Sequence, residues 1–250
     1  MTTLDPARPR TPLTSLRKTA LVGGALYVIT FATSIPARLL FAPVRNDPSY
    51  ILGAGADAQV LFAGLLDLMV ALSGIGTAVA LYPVIKRQNP GVALGFLGSR
   101  SLEGAIIVIG VISMLSVVSL RQSGAGVNAL ATSHALVASY NWAFLLGPGF
   151  MAPINALLLG SLLYRSRLVP RILPVLGLIG APLLLASNVA VLFGLWQQFS
   201  VPAGLATVPI FVWELGLGCY LVVKGFRPSP VTAGRTAEVA RPARREHTPV

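Results

Sequence analysis

The sequence predicts an all-α, polytopic membrane protein, a bundle of six transmembrane helices with both termini cytoplasmic. Charged residues make up only 11% of the 250-residue chain, whereas a soluble domain carries about 25%. Apolar residues account for 54% of the chain, and the mean hydropathy is +0.76. Because a surface with so few charges aggregates in water, the composition excludes an ordinary soluble domain.

Six stretches are long and apolar enough to cross a hydrocarbon core of about 30 Å, which takes about 20 helical residues. Short segments that contain Pro, Asn, Gln and Arg separate them, and Pro and Asn at such points end helices. Residues 123–139 fit either a short helix on the membrane surface or the start of span four. The six predicted spans lie near residues 19–41, 59–85, 92–118, 140–163, 172–195 and 203–223.

The distribution of basic residues predicts the orientation. With this threading, 15 of the 19 Lys and Arg residues lie on the side that holds the N-terminus, and the opposite side has only Arg45 and Arg121. Because Lys and Arg accumulate in cytoplasmic loops, we expect both termini to be cytoplasmic. The predicted organisation is a basic cytoplasmic segment (1–18), a six-helix transmembrane domain (19–223) and a disordered, basic cytoplasmic tail (224–250).

The net charge of +11 raises the question of partners. The basic residues lie at span ends and in the tail, which argues against nucleic acid and favours the lipid bilayer, with anionic lipids at the cytoplasmic face. One cysteine, Cys219, and two distant histidines, His134 and His247, do not suggest a metal site. The sequence contains no phosphate-binding loop, dinucleotide fingerprint or hydrolase motif. We therefore expect no cofactor and no catalytic activity.

Five ionisable residues fall within the predicted spans, where a charge costs about 2.5–3.5 kcal/mol at a helix centre. Helical rise places Arg38 of span one and Asp67 of span two at similar depths near the outer boundary. These two spans are antiparallel neighbours. The sequence therefore predicts an ion pair between Arg38 and Asp67.

The other three ionisable residues, Arg100, Glu103 and Glu214, lie at mid-membrane depth. Arg100 and Glu103 are three residues apart and share one helical face, whereas Glu214 belongs to span six. One guanidinium cannot neutralise two carboxylates, so one carboxyl must keep its proton. We expect that proton on Glu214, because the partner of Glu103 is fixed by sequence spacing. The cluster fits either a static clamp between helices or the coupling site of a proton-linked carrier.

Uncharged polar residues extend this network. Span one carries a polar stripe at helical spacing, and span four carries Asn155 beside a Gly147-Pro148-Gly149 sequence and Pro153. These residues predict a break or kink in span four at mid-membrane. Broken helices with polar residues line the substrate sites of transporters, although interhelical hydrogen bonding explains the same pattern. The stripe in span one consists of Tyr27, Thr30, Ser34 and Arg38.

Several stretches of the chain resemble one family of bacterial membrane proteins. They are ALYVITFATSIPARLL, DPSYILGAGAD, LYPVIKRQNPGVALGFLGSRSLEGAIIVIGV, FLLGPGFMAPINALLLGSLLYRSRLVPRILPVLGLIGAP and VPIFVWELGLGCYLV. In this order they resemble DUF4386, a family defined as a domain of unknown function, over about residues 15–226. The resemblance implies a multi-pass protein of a bacterial plasma membrane and supplies no catalytic residues.

Two functions follow from these observations. The first is an uncharacterised, non-enzymatic integral membrane protein for assembly or sensing, whose buried ionic network holds spans two, three and six together. The alternative is a small-solute or proton-coupled transporter that uses the midplane carboxylates, with a small molecule or a proton as ligand. A water-accessible path to Glu103 and Glu214 favours transport, whereas a dry and fully paired network favours structure. The predicted network consists of Arg38, Asp67, Arg100, Glu103, Asn155 and Glu214.

Overall fold

The computed structural model describes residues 15–53 and 55–233, and all regular structure within these ranges is helical. Short 3₁₀ turns occur at Tyr50–Leu52 and Gly126–Ala129, and a π-helical turn occurs at Leu145–Gly149. The α-helices are α1 (Ser15–Leu40), α2 (Ala42–Asn46), α3 (Asp57–Ile85), α4 (Pro90–Gln122), α5 (Leu130–Phe144), α6 (Phe150–Ser166), α7 (Ile172–Leu192) and α8 (Val201–Val223).

Six helical segments of the described chain are long and apolar enough to cross a membrane: α1, α3, α4, the segment Gly126–Ser166, α7 and α8. Large apolar side chains such as Leu39, Leu72, Ile112 and Leu205 project from the outside of the bundle. In a hydrocarbon environment, lipid covers such side chains, and the helices satisfy their own backbone hydrogen bonds. The chain is therefore a multi-pass, all-helical membrane protein, as predicted.

The six segments pack in a closed ring. The order of neighbours is α1, α3, α4, the α5–α6 segment, α7, α8 and again α1. Small residues bring α1 and α8 close together, since a Cβ atom added to Gly24 would lie 2.8 Å from the carbonyl oxygen of Gly218. In this order α4 and α8 lie across the ring from each other, so a contact between their side chains crosses its centre.

The two ends of the ring are filled differently. We call the end where α1 begins and α8 ends the terminal end, and the opposite end the distal end. Apolar side chains such as Phe96, Leu163 and Leu217 fill the terminal half. At the distal end a second cluster, which includes Phe41, Met114 and Tyr140, packs α1, α3, α4 and α5 together. The space between these two clusters, towards α7 and α8, contains a cavity.

The structure of span four decides two points that the sequence left open. Residues 130–139 form the first part of α5, so the span starts earlier than residue 140 and no separate surface helix forms. The sequence Gly147-Pro148-Gly149 does not break the helix, because the chain forms a π-helical turn at Leu145–Gly149 and continues into α6. The wider turn accommodates Pro148, which has no N–H to donate.

The beginning of the C-terminal tail also differs from its prediction. The backbone N–H of Arg227 donates to the carbonyl oxygen of Leu168 at 2.8 Å, and the hydroxyl of Ser229 donates to the carbonyl oxygen of Ser166. These bonds attach residues 227–229 to the turn between α6 and α7, because that turn has free carbonyl groups. The predicted disorder of 224–250 is therefore wrong for this part, and residues 1–14 and 234–250 lie outside the described residues.

Candidate functional site

A cavity of about 620 Å³ lies inside the ring. It runs from Gln198–Ser200, in the connection between α7 and α8 at the distal end, to mid-membrane residues of α4 and α8. Its volume falls within the range of about 300–1,000 Å³ that is typical of small-molecule sites. All five charged residues predicted within the spans line this cavity: Arg38, Asp67, Arg100, Glu103 and Glu214.

The floor of the cavity is an ion triad formed by Arg100, Glu103 and Glu214. Nη1 of Arg100 donates to Glu103 Oε2 at 2.9 Å, and Nη2 donates to Glu214 Oε1 at 2.6 Å. The second bond crosses the ring from α4 to α8. All three residues are buried, with exposed fractions of 3%, 6% and 8%. The structure thus forms the (i, i+3) pair expected from the sequence and adds the carboxylate of span six.

Two further side chains surround the triad. The amide of Asn155 in α6 donates to Glu103 Oε2 at 2.7 Å, and the ring centroid of Tyr27 in α1 lies 5.3 Å from Cζ of Arg100. The network therefore joins α4, α6 and α8, with α1 against it, rather than spans two, three and six. Nε of Arg100 and Oδ1 of Asn155 are buried and have no hydrogen-bond partner.

The geometry distinguishes the two carboxyl groups. Oε2 of Glu103 accepts bonds from both Arg100 and Asn155, whereas Glu214 accepts one bond, from Arg100. N–H donors stabilise the ionised form of a carboxyl group. Glu103 therefore faces more hydrogen-bond donors than Glu214 does. That the proton resides on Glu214 stays a prediction.

The predicted ion pair between Arg38 and Asp67 is wrong. Both residues line the cavity, but no salt bridge joins them among the ion pairs of residues 15–53 and 55–233. The guanidinium of Arg38 instead stacks on Phe199 and Phe144, with Cζ 3.6 Å and 4.5 Å from the two ring centroids. A guanidinium binds aromatic faces well, so Arg38 makes this stacking contact in place of a salt bridge.

The Tyr140 hydroxyl is a polar neighbour of the Arg38 guanidinium, but neither Arg38 nor Asp67 has an ion-pair partner within the described residues. Nη1 of Arg38 is buried without a hydrogen-bond partner. Within the described part of the chain, the carboxyl group of Asp67 accepts no hydrogen bond. The nearby hydroxyls of Thr30 and Ser34 donate to carbonyl oxygens of their own helix. The cavity therefore contains one basic and one acidic group that the protein does not pair.

Sequence analysis missed a second charged cluster, at the distal end. Nε of Arg121 donates to Asp57 Oδ1 at 2.8 Å, and Nη1 donates to the carbonyl oxygen of Gly53 at 2.8 Å. The hydroxyl of Tyr50 also donates to Asp57 Oδ1, at 2.8 Å, and burial together with this bond raises the pKa of Tyr50. The matching ends of antiparallel spans two and three were a usable signal for this pair.

The cluster around Asp57 depends on a glycine. Gly55 has a φ of +52°, a conformation that favours glycine, and a Cβ atom at this position would overlap the guanidinium of Arg121. These contacts tie the connection between α2 and α3 to the end of α4. We assign this cluster a structural role, because its charges are paired with one another.

Comparison with known families identifies the family of this chain. The model of the family described as "Domain of unknown function (DUF4386)" matches residues 22–225. The chain belongs to the DUF4386 family. The matched range includes every helix that contributes to the cavity and to the ion triad. No curated protein and no solved structure matches the chain significantly.

The described residues offer no evident metal centre. No group of three or more His, Cys, Asp and Glu side chains within them is placed to hold a metal ion. Cys219 lies on the exposed surface of α8. The cavity of this DUF4386 member is lined by two guanidinium groups and three carboxyl groups among apolar, aromatic and uncharged polar side chains.

Proposed function

We propose that this protein is a membrane carrier of small solutes, which bind in the central cavity. The observation that carries the proposal is the cavity itself, which extends from the distal end to Glu103 and Glu214 in the middle of the ring. A network that served only to clamp helices would be enclosed by packed side chains, as the terminal half of the ring is. A cavity that reaches one end of the ring, while packed side chains fill the other end, fits one state of an alternating-access carrier.

The ion triad is the proposed coupling site. With one guanidinium between two carboxyl groups, the triad is neutral only when it holds one proton. The arrival of a charged solute changes the local field and hence the proton occupancy of the triad. We propose that Glu214 exchanges this proton, because it has a single hydrogen-bond partner and lines the cavity.

The orientation and location belong to the same proposal. The excess of Lys and Arg on the terminal side supports cytoplasmic termini, so that the cavity is accessible from the outer side. The family resemblance supports a bacterial plasma membrane as the location. The basic segments at both ends of the chain would lie against anionic lipids of the cytoplasmic leaflet.

A proton-flux assay tests the carrier proposal. The purified chain is reconstituted into liposomes that contain a pH-sensitive dye, and amino acids, monocarboxylates, primary amines and neutral solutes are added one class at a time. We expect one class to drive proton movement in wild-type vesicles but not in Glu214→Gln vesicles, because the amide cannot exchange a proton. Vesicles with Arg87→Gln, a change on the exposed turn between α3 and α4, should behave as wild type.

Two outcomes would contradict the proposal. If no class of solute moves protons or accumulates beyond the level in protein-free vesicles, the protein is not a carrier of these solutes. If Glu214→Gln leaves the flux unchanged, the coupling role of Glu214 is wrong.

One observation favours a second function, a structural network for assembly or sensing. Arg100 is buried and bonded to both acids, as a static clamp requires. This function predicts that the triad contributes to stability while the centre of the ring excludes water. The accessibility of the cavity therefore separates the two functions.

A further inference from the structure

We propose that the solute is a zwitterion with an apolar body, whose carboxylate binds Arg38 and whose ammonium group binds Asp67. This inference rests on the proposed solute site and names its ligand class. Arg38 and Asp67 line the cavity, and neither has an ion-pair partner in the described chain.

Arg38 is arranged to bind an anionic group. Phe199 and Phe144 contact the faces of its guanidinium through their rings, and the Tyr140 hydroxyl is a further polar neighbour. Its Nη1 atom is buried and has no hydrogen-bond acceptor. A planar guanidinium with free edge donors binds a carboxylate through two parallel bonds.

Asp67 offers the opposite charge. It lies on α3, which packs against α1, and it lines the same cavity as Arg38. No described N–H or O–H group donates to its carboxyl oxygens. An ammonium group carries three donors and no acceptor, so it suits a carboxylate that the protein leaves without hydrogen bonds.

The ion triad does not compete for these roles. Arg100 already donates to both Glu103 and Glu214, and the two acids need only a proton to complete the charge balance. Among the residues that line the cavity, the unpaired charges are thus one cation, Arg38, and one anion, Asp67. Arg45 lies behind Phe199, with its Cζ 5.3 Å from the ring centroid, and is not part of the lining. A solute with a single charge would leave one of them unpaired at low dielectric, which costs free energy.

The apolar lining of the cavity indicates that the uncharged part of the solute is apolar. Phe31 and Phe211 meet edge to face, with ring centroids 5.0 Å apart, and both line the cavity together with Val70, Ile107 and Leu184. Apolar and aromatic walls with a few polar groups are typical of sites for small organic molecules. An amino acid with a large apolar side chain has this combination of groups.

The test uses three probes that share one body: L-phenylalanine, 3-phenylpropionate, which lacks the ammonium group, and phenethylamine, which lacks the carboxylate. Their binding to the full-length protein in detergent is measured by isothermal titration calorimetry. We expect L-phenylalanine to bind at least about thirtyfold more tightly than either analogue, because truncating one partner of a buried charge pair costs about 2 kcal/mol or more. Equal or tighter binding of one analogue would overturn the proposal, as would the absence of L-phenylalanine binding.

Variants assign each charge to its partner. Arg38→Gln should make L-phenylalanine and phenethylamine bind alike, and Asp67→Asn should make L-phenylalanine and 3-phenylpropionate bind alike. The control Arg87→Gln should retain the wild-type preference. If Arg38→Gln and Asp67→Asn, each checked for folding by circular dichroism, keep the wild-type preference, the assignment is wrong. Should either variant fail to fold, the comparison of the three probes on wild type still decides the ligand class.

The outcomes also separate this inference from the carrier proposal. Preferential binding of L-phenylalanine without any flux in vesicles would support the zwitterion site and contradict the carrier function. Proton flux driven only by monocarboxylates, amines or neutral solutes would support a carrier and contradict the zwitterion site.

Discussion

Replacing Arg100 with Gln should destabilise the protein more than any other single change in the ion triad. The guanidinium makes both ion pairs, at 2.9 Å and 2.6 Å, and its loss leaves two buried carboxyl groups without a cation. Removing one partner of a buried ion pair costs about 3–5 kcal/mol. For a chain of this size, such a loss lowers the melting temperature by roughly 6–20 °C.

Thermal unfolding in detergent, followed by tryptophan fluorescence, measures the effect. Trp213 is fully buried and precedes Glu214 in the sequence, so its emission reports on the surroundings of the triad. Arg87→Gln is the matched control, because it removes the same side chain from an exposed turn. We expect that control to stay within about 0.5 kcal/mol of wild type.

Companion variants test the reason for the loss. Glu214→Gln should lower the free energy of unfolding by only about 1 kcal/mol, since the amide oxygen still accepts the bond from Arg100. Glu103→Gln should cost more, because two donors face Oε2 of Glu103. The triple Gln variant of Arg100, Glu103 and Glu214 should be more stable than Arg100→Gln alone, because it buries no charge. A melting temperature for Arg100→Gln equal to that of Arg87→Gln, or a greater loss for Glu214→Gln than for Glu103→Gln, would refute this reasoning.

Three further predictions concern packing and orientation. Gly24→Ala should lower the free energy of unfolding by about 1–3 kcal/mol, because the added Cβ would lie 2.8 Å from a backbone oxygen of α8. The control Gly98→Ala, at a position with open space around it, should be neutral or stabilising in the same unfolding assay. Gly55→Ala should also lower the melting temperature, because it combines a positive φ with a clash against Arg121; an unchanged value would exclude that clash. In the cysteine-free Cys219→Ser background, an impermeant thiol reagent should label Ser49→Cys on intact cells and Gln88→Cys only after permeabilisation. The opposite labelling pattern would show that the topology is inverted.

Much of the fold could be predicted from the sequence, because length and hydropathy are local properties. The six spans follow from runs of apolar residues between charged or Pro-containing turns. The start of span four was placed too late, since residues 130–139 are less apolar than a typical membrane helix. An irregularity at Pro148 was predicted at the right place, but the sequence did not show its form, a π-helical turn that accommodates the proline without ending the helix.

The site was predictable where spacing along one helix determines contact. Arg100 and Glu103 are three residues apart, and their depth identified Glu214 as the third member. Arg38 was paired wrongly because depth alone says nothing about the direction of a side chain. Phe199, in the connection between α7 and α8, stacks on Arg38, and no local pattern relates these residues. The cavity itself follows from the closed ring, which depends on how all six spans pack.

The proposed solute cavity requires that water reach the ion triad, and thiol labelling measures this directly. In the Cys219→Ser background, Ala152→Cys places a thiol in the wall of the cavity, one helical turn from Asn155, whereas Leu157→Cys places one on the outer surface of the same helix. Methanethiosulfonate reagents react with the thiolate, which forms in contact with water. We expect a small, charged methanethiosulfonate to modify Ala152→Cys and not Leu157→Cys in the folded protein. An Ala152→Cys thiol that reacts only after denaturation would show a dry, packed centre and would contradict the solute cavity.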